Sequence, residues 1–421
     1  MYPKVIFKNR KPDQILSLDE YRAHGGYETL ATALKSQLPA QLQQILKEAG
    51  LQGRGGAAFP MGVKISEIND DSPFPRYIVC NADEMEPGTF KDRVMIHASP
   101  HQLIEGLIIS AYAVRAGQGF IFIRPEYENA ARILEREIIL ARNQGFIGQN
   151  IQGSGFDFDV SVHRSGGRYI CGEATALLSA LEGRRPNPRK SSTHSTEKGL
   201  WDKPTVVQNV ETLCNVPHII KNGADWFKSL SLTPGSAGTK IFSVSGKVNK
   251  PGCYELPLGV KLSEIIEDHA GGMRPGSTYK TCLPGGASSS FLEPSLYHIK
   301  MDFKSLRDAG YRLGTGAVMV FDHNTCLVGA TLNLIRFFAR ESCGWCTPCR
   351  DGLPYIEDLL TRIENGEGRL DMIDRLREMQ GHLHHAYCSF AAGAAAPLEG
   401  LLTHFCHEVM AHIEQKKCPF G

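Results

Sequence analysis

Three cysteines stand at intervals of three in Glu341-Ser342-Cys343-Gly344-Trp345-Cys346-Thr347-Pro348-Cys349-Arg350, and a fourth, Cys388, follows a helical stretch of 38 residues. That spacing puts three sulfurs around one compact turn, so each can hold a different corner of a single cluster, with the fourth ligand coming from a remote loop. A cubane iron–sulfur centre is commonly ligated in this way. Such a centre carries single electrons and does no bond chemistry, so the rest of the chain must say where the electrons come from. Zinc and disulfides are the alternatives. Structural zinc usually takes two separate C-x2-C knuckles, or cysteines joined by histidines. Here a triple run precedes a lone cysteine, although His382, His384 and His385 lie close to it. The chain is large and shows no signal peptide, and its other cysteines (Cys80, Cys171, Cys214, Cys253, Cys282, Cys326, Cys406, Cys418) are scattered. They read as a reducing compartment and, for the most part, as ordinary buried thiols.

Two further loops carry chemistry. Gly53-Arg54-Gly55-Gly56-Ala57-Ala58-Phe59-Pro60 is glycine-rich, with Arg54 and Lys64 as donors suited to phosphate. It lacks the G-x-G-x-x-G spacing of a dinucleotide fingerprint and follows a helix rather than a strand. A ligand loop and a tight turn between helix and sheet both remain open. Asn81-Ala82-Asp83-Glu84-Met85-Glu86 packs three carboxylates into four positions directly after a strand. In open α/β sheets ligands bind at the carboxyl ends of parallel strands. Carboxylates there can take ribose hydroxyls, a flavin edge or a metal, or simply form a solvated acidic loop.

The elements that must position these loops alternate. Apolar residues recur at helical spacing from Leu30 through Leu34, Leu38, Leu42, Ile45 and Leu46. A strand is expected from Tyr77 to Cys80, a helix at 100–116, a strand at 119–124, a helix at 129–144 and a strand at 156–163. The loop containing Tyr169 and Glu173 opens a helix that runs to Leu181. Alternation of this kind predicts an α/β layer with a mostly parallel sheet. From Lys240 to about Met319, short β-like runs surround one helix at 262–269, the mark of a small α+β domain. Beyond Asn333 the pattern is helical and carries all four cluster cysteines. The expected division is a helical leader at 1–50, an α/β domain at 51–230, a small α+β domain at 238–325 and a helical domain at 330–421.

With 46 basic and 45 acidic residues in 421, and no long like-charge block, the chain lacks the footprint of a nucleic-acid binder. No apolar stretch reaches the ~18 residues of a membrane span. The run from Leu103 to Val114 is broken by Glu105 and Gly106. A soluble protein without direct membrane insertion is expected.

In combination the motifs resemble one family, the FMN- and NADH-binding flavoprotein subunit of NADH:quinone oxidoreductase (respiratory complex I) with its related diaphorase subunits. The resemblance is carried by the residues from Gly53 to Pro60, Asn81 to Arg93, Tyr169 to Glu173, Asn209 to Leu213 and Glu341 to Arg350, in that order along the chain. It implies a Rossmann-like flavin domain at 51–230, a β-grasp-like (SLBB-type) domain at 238–325 and a C-terminal helical bundle. By motif, FMN lies across Gly53, Arg54, Gly55, Gly56 and Lys64. Its ring and ribityl chain face Asn81, Asp83, Glu84, Tyr169, Gly172, Glu173, Gln208 and Asn209. NADH stacks on the flavin with Phe59 and Glu86 contributing, and Cys343, Cys346, Cys349 and Cys388 hold a [4Fe–4S] cluster. Arg340 and Arg350, flanking the cysteines, are expected to raise the cluster potential. The implied reaction passes hydride from NADH to FMN and then single electrons to the cluster. The implied partners are a thioredoxin-like [2Fe–2S] subunit and a large iron–sulfur subunit. The implied location is cytoplasmic, peripheral to the inner membrane.

The chain departs from that family on the nucleotide side. Ala58 replaces the usual glycine before Phe59, Ala174 the second of two glutamates, and Gln208 an asparagine. Lys190-Ser191-Ser192-Thr193-His194-Ser195-Thr196-Glu197 stands where relatives carry a proline-rich stretch. Weaker NADH binding and relaxed discrimination against NADPH are the expected consequences. The other reading is a paralogue that has lost nucleotide oxidation and serves as an electron-relay or structural subunit of a hydrogenase or formate dehydrogenase complex.

Overall fold

The computed structural model describes residues 2–10, 14–189 and 194–420. Its contacts group into two compact units. The first comprises Met1–Met85, Phe90–Phe242 and Glu255–Gly259; the second comprises Glu86–Thr89, Ser243–Tyr254 and Val260–Gly421.

The first unit opens with α1 (Leu18–Ala23), α2 (Glu28–Ser36) and α3 (Pro39–Ala49). The helical spacing from Leu30 to Ala49 is therefore carried by two helices rather than one. Pro39 forces Leu38 into an extended conformation, with ψ at 150°, and itself takes the first helical position of α3. Then come α4 (Met61–Ser66), β1 (Tyr77–Ala82), α5 (Lys91–Ala98), α6 (Pro100–Val114), β2 (Gln118–Ile123), α7 (Glu128–Asn143) and β3 (Asp159–Arg164). The unit continues with α8 (Ala174–Leu181), β4 (Thr205–Asn209), α9 (Val210–Asn222) and α10 (Ala224–Ser229).

The four strands form a parallel sheet in the order β3-β2-β1-β4. The chain winds outward from β1 through β2 to β3, then returns to place β4 on the other side of β1. The winding thus reverses between β1 and β4, and Asn81 is the register partner of Asn209 there. A crevice at the carboxyl ends of strands beside such a reversal is the usual ligand position of an open α/β sheet.

Helix α6 is apolar almost all round and buried almost throughout, as its sequence requires. Its one carboxylate, Glu105, accepts hydrogen bonds from the backbone N–H groups of Tyr27 (3.0 Å) and Leu30 (3.1 Å) and so caps α2. Gly106 faces α9 so closely that a methyl group there would stand 2.1 Å from the carbonyl oxygen of Leu213. Among the described residues no helix is long and apolar enough to cross a membrane.

Strands β5 (Thr239–Gly246) and β6 (Gly252–Pro257) are divided between the units. In the second unit follow the single turn α11 (Leu262–Glu264), which continues as a π-turn at Ile265–His269, then β7 (Tyr279–Leu283), α12 (Phe303–Asp308) and β8 (Ala317–Asp322). The second sheet has the order β6-β5-β8-β7, with β5 and β8 parallel and β7 antiparallel to β8. The helices α13 (Leu327–Glu341), α14 (Thr347–Arg350), α15 (Gly352–Glu364), α16 (Asp371–Leu383), α17 (Ser389–His404) and α18 (Cys406–Gln415) complete the unit.

Candidate functional site

The crevice between β1 and β4 collects most of the predicted ligand-binding residues of the first unit. Asn81 lies near the end of β1; its Nδ2 donates to the carbonyl of Gly172 (3.0 Å) and its Oδ1 accepts from the N–H of Asp83 (3.1 Å). Tyr169–Gly172 forms a single helical turn, which sets that carbonyl beside β1. Asp83 is buried. One of its oxygens accepts from Ser165 Oγ at 2.6 Å, and the other, Oδ2, has no hydrogen-bond partner among the described residues. Burial pushes the Asp83 carboxyl up to about 7. Across the crevice, Nε2 of buried Gln208 is likewise without a partner among the described residues. An unmet acceptor and an unmet donor at the carboxyl edge of the sheet suit a polar ligand, because leaving such groups buried and unpaired costs about 1–3 kcal/mol each.

Beneath the Gly53–Gly56 loop lies a charge network that the sequence did not disclose. Glu211, fully buried near the start of α9, receives Lys240 Nζ at 2.9 Å and Lys91 Nζ at 3.0 Å on Oε2, and the N–H of Ile241 at 2.8 Å on Oε1. Lys91 also contacts Asp92 Oδ1 (2.7 Å) and Asn209 Oδ1 (3.1 Å), and Asn209 Nδ2 donates to Asp92 Oδ2 at 2.6 Å. Arg54, fully buried and also within the field of Glu211, donates to the carbonyls of Ala237 and Thr239. Burial lowers Arg54 to about 10 and Lys240 to about 8. Glu211 is held at about 2 by Lys240, Lys91 and Arg54, against the opposing effect of its burial. Three buried cations thus share this region with Glu211, Asp92 and, through Lys91, Glu84, a concentration of buried basic side chains beside the loop that suits a phosphate. Lys64, half-buried, donates to the carbonyl of Val207 on β4 (3.1 Å) and stands 5.8 Å over the ring of Phe59, which is exposed.

Two predicted contacts serve the scaffold. The carboxylate of Glu84 accepts from the N–H groups of Asp92 (2.8 Å) and Arg93 (3.2 Å) and from Tyr127 OH (3.1 Å), so it caps α5. Glu173 is the N-cap of α8; its Oε2 accepts from the N–H of Ala176 (2.8 Å) and from Thr175 Oγ1 (2.6 Å). In the second unit, Glu86 accepts from the N–H of Ser288 at 2.6 Å.

Of the departures, Ala58 has a clear conformational signature: its φ is 60°, the left-handed region that favours glycine. Ala174, the first residue of α8, packs against the cluster of Val79, Phe122, Leu177 and Leu178. Residues 190–193 of the departing loop lie outside the described residues.

In the second unit Cys343, Cys346, Cys349 and Cys388 meet. Burial pushes the Cys349 thiol up to about 12, with a hydrogen bond from Ser342 opposing and the neighbouring Cys346, Cys343 and Cys388 adding to the rise. Ser342 Oγ lies 3.2 Å from Cys349 Sγ and accepts from the N–H of Gly344, which fixes the turn. Cys388 is the N-cap of α17. His382, His384 and His385 are exposed. The flanking arginines are balanced by their neighbours, Arg340 by Glu341 at 3.3 Å and Arg350 by Asp351 at 2.9 Å. Their pull on the cluster potential is accordingly weaker than lone cations would exert.

A parallel α/β sheet with a phosphate-suited crevice, in one chain with a helical bundle that gathers four thiols, is the build of an iron–sulfur flavoprotein oxidoreductase. The residues present fit both groups: unmet polar atoms and buried basic side chains for FMN, four converging sulfurs for the cluster. Comparison with known proteins bears this out. Residues 46–218 match the Nuo51 FMN-binding domain, 241–291 the SLBB domain, and 329–412 the NADH-ubiquinone oxidoreductase-F iron-sulfur binding region. The chain is 48% identical to the NADH-quinone oxidoreductase F subunit of Salmonella typhimurium, over 98% of this chain and 93% of that one. It is 45% identical to the F subunit numbered 2 of Rhizobium meliloti, over 100% of each chain. Among solved structures it resembles a chain of an NAD+-reducing [NiFe]-hydrogenase in the H2-reduced state. The TM-score is 0.84 at 32% identity, covering 100% of this chain and 67% of that one. The chain belongs to the family of NADH-quinone oxidoreductase F subunits.

Proposed function

We propose that the chain is the NADH-oxidising subunit of a complex I-type NADH:quinone oxidoreductase, with FMN in the crevice between β1 and β4. The observation that carries the site assignment is a pair of buried atoms without a partner among the described residues, Asp83 Oδ2 and Gln208 Nε2, at the reversal point of the sheet. When bound, FMN supplies acceptance of a hydride and release of single electrons, and the [4Fe–4S] cluster supplies one-electron carriage.

The chain's own residues bind and orient. Gly53, Gly55 and Gly56 let the backbone approach a phosphate, and Arg54, Lys64, Lys91 and Lys240 supply the positive field. Asn81, Asp83, Gln208 and Asn209 provide hydrogen bonds along the crevice, with the turn at Tyr169 and Gly172 as its rim. Phe59 offers an exposed ring for stacking. Hydride transfer depends on stacking and orientation more than on a protein acid or base. Glu84 and Glu173 hold the starts of α5 and α8 and thereby the walls of the crevice. Cys343, Cys346, Cys349 and Cys388 hold the cluster. A thioredoxin-like [2Fe–2S] subunit and a large iron–sulfur subunit are the partners this reading requires, in a cytoplasmic arm peripheral to the membrane.

Anaerobic stopped-flow spectroscopy of the flavin- and cluster-loaded chain mixed with NADH or NADPH tests the reading. Rapid bleaching of the flavin band with NADH is the expected result. Failure of both nucleotides to reduce a bound flavin would replace it with an electron-relay role.

A further inference from the structure

Two of the scattered cysteines are not ordinary buried thiols. Cys326, Glu364, His412 and Cys418 converge, each offering one ligand atom, with all four atoms within 4.8 Å of one another. We propose that these four residues hold a structural zinc ion.

The contacts have the dimensions of a coordination shell. Cys326 Sγ lies 3.3 Å from His412 Nε2 and 3.6 Å from Glu364 Oε2, and His412 Nε2 lies 3.3 Å from Glu364 Oε2. Usual zinc–ligand lengths at tetrahedral angles give edges of about 3.3–3.6 Å between sulfur, nitrogen and oxygen ligands. The tautomer of His412 agrees. Its Nδ1 lies 2.7 Å from the carbonyl oxygen of Glu408, which can only accept, so Nδ1 carries the proton. In the neutral ring Nε2 then presents a lone pair toward a carboxylate oxygen that also presents one, and a cation between them relieves the conflict. A backbone carbonyl holding the far nitrogen of a ligating histidine is the usual support of such a site.

The fold builds the site deliberately. Cys326 is the N-cap of α13, and its sulfur accepts from the N–H of Gly329 at 3.2 Å, which fixes its position. A methyl group on Gly329 would stand 3.2 Å from Glu364 Oε1, so glycine leaves the carboxylate its place. Gly366 has a φ of 80° and admits no side chain, since a methyl there would lie 2.1 Å from the carbonyl of Lys416. That approach seats the tail and delivers Cys418. Phe420 completes the closure, with Lys280 Nζ 4.4 Å over its ring. Two thiolates, an imidazole and a carboxylate select zinc over magnesium or calcium, which prefer all-oxygen shells. Binding releases the two thiol protons and needs no redox partner.

The location explains what the ion does. Cys326 precedes α13 and Glu364 ends α15, while the opposite ends of these two helices lead to Cys343 and from Cys349. The zinc therefore clamps the far ends of the helix pair that carries the cluster cysteines. The 15 residues of α13 separate the two by about 22 Å.

Elemental analysis of the full-length, cofactor-loaded protein, purified without chelator, then treated with Zn(II) and desalted, tests the assignment. About one zinc per chain is expected, with sulfur and nitrogen/oxygen neighbours in equal number by zinc-edge X-ray absorption. Cys418→Ser should lower zinc at least tenfold and leave iron unchanged. Absorption on the parent protein needs no variant and stays decisive if the variant misfolds. Zinc below about a tenth per chain, zinc undiminished in Cys418→Ser, or a Cys326–Cys418 disulfide in the untreated protein would each overturn it.

Discussion

Glu211 Oε2 and Lys240 Nζ, both fully buried, lie 2.9 Å apart beneath the glycine-rich loop. Lys91 reaches the same oxygen. Replacing Glu211 by alanine removes the carboxylate that Lys91 and Lys240 both contact and that lies within the field of Arg54. Removing one partner of a buried ion pair typically costs about 3–5 kcal/mol, and Glu211→Ala is expected to show that loss in urea unfolding. The carboxyl is depressed to about 2, below the ~4.5 of a free glutamate. Its stabilisation is thus complete above about pH 4.5 and fades as pH falls toward 2.

Asp83 shows the opposite sign. Its folded carboxyl sits at about 7, so the folded chain binds a proton that the unfolded chain releases near 4. Stability attributable to this group is present at low pH and is lost as pH rises from about 4 to about 7. The stability of Asp83→Asn relative to the parent should therefore climb through that window, by at most about 1.4 kcal/mol per pH unit, and then level off. Paired unfolding curves at pH 5, 6, 7 and 8 measure it; a flat difference would refute the shift.

Ala58 occupies the left-handed region at a cost of about 1–2 kcal/mol, partly offset because glycine loosens the unfolded chain. Ala58→Gly is expected to be more stable by about 0.5–1 kcal/mol. Its KM for NADH should fall severalfold as the methyl beside Phe59 is removed. An unchanged KM would confine the effect to the backbone.

Ala174→Glu restores the second glutamate of the family pattern, a carboxylate that the resemblance implies faces the adenosine ribose of the nucleotide. A 2′-phosphate beside that charge is repelled, so the ratio of kcat/KM for NADH over NADPH should rise at least tenfold. Steady-state rates with both nucleotides decide it.

Much of this was legible in the residues because the signals were local. Strand alternation located β1 to β3 but not β4, which follows a long loop after α8, and cysteine spacing located the cluster turn without any knowledge of Cys388's approach. The break at Leu38 escaped because apolar periodicity runs through it, while the proline that ends the phase acts on the residue before it. Glu84 was singled out by its motif and its place after a strand; that it also accepts from the backbone N–H groups of Asp92 and Arg93 is something no side-chain pattern reveals. The network of Glu211, Lys91 and Lys240 joins residues up to 149 positions apart. The gathering of Cys326, Glu364, His412 and Cys418 depends on four separated segments of the helical region. Charges and thiols paired by tertiary contact leave no periodic trace.

The contact of Gly106 with Leu213 bears on how the crevice tolerates change. Asn209 caps α9, and Leu213 lies one turn further along that helix. Any side chain at 106 must displace α9 by more than an ångström, and Asn209 would travel with it. The seat of Asn209 at the end of β4 is thus gauged by an absent methyl group outside the crevice. Variation among crevice residues can proceed singly, as Ala174 and Gln208 illustrate, whereas drift at 106 is closed to every residue but one.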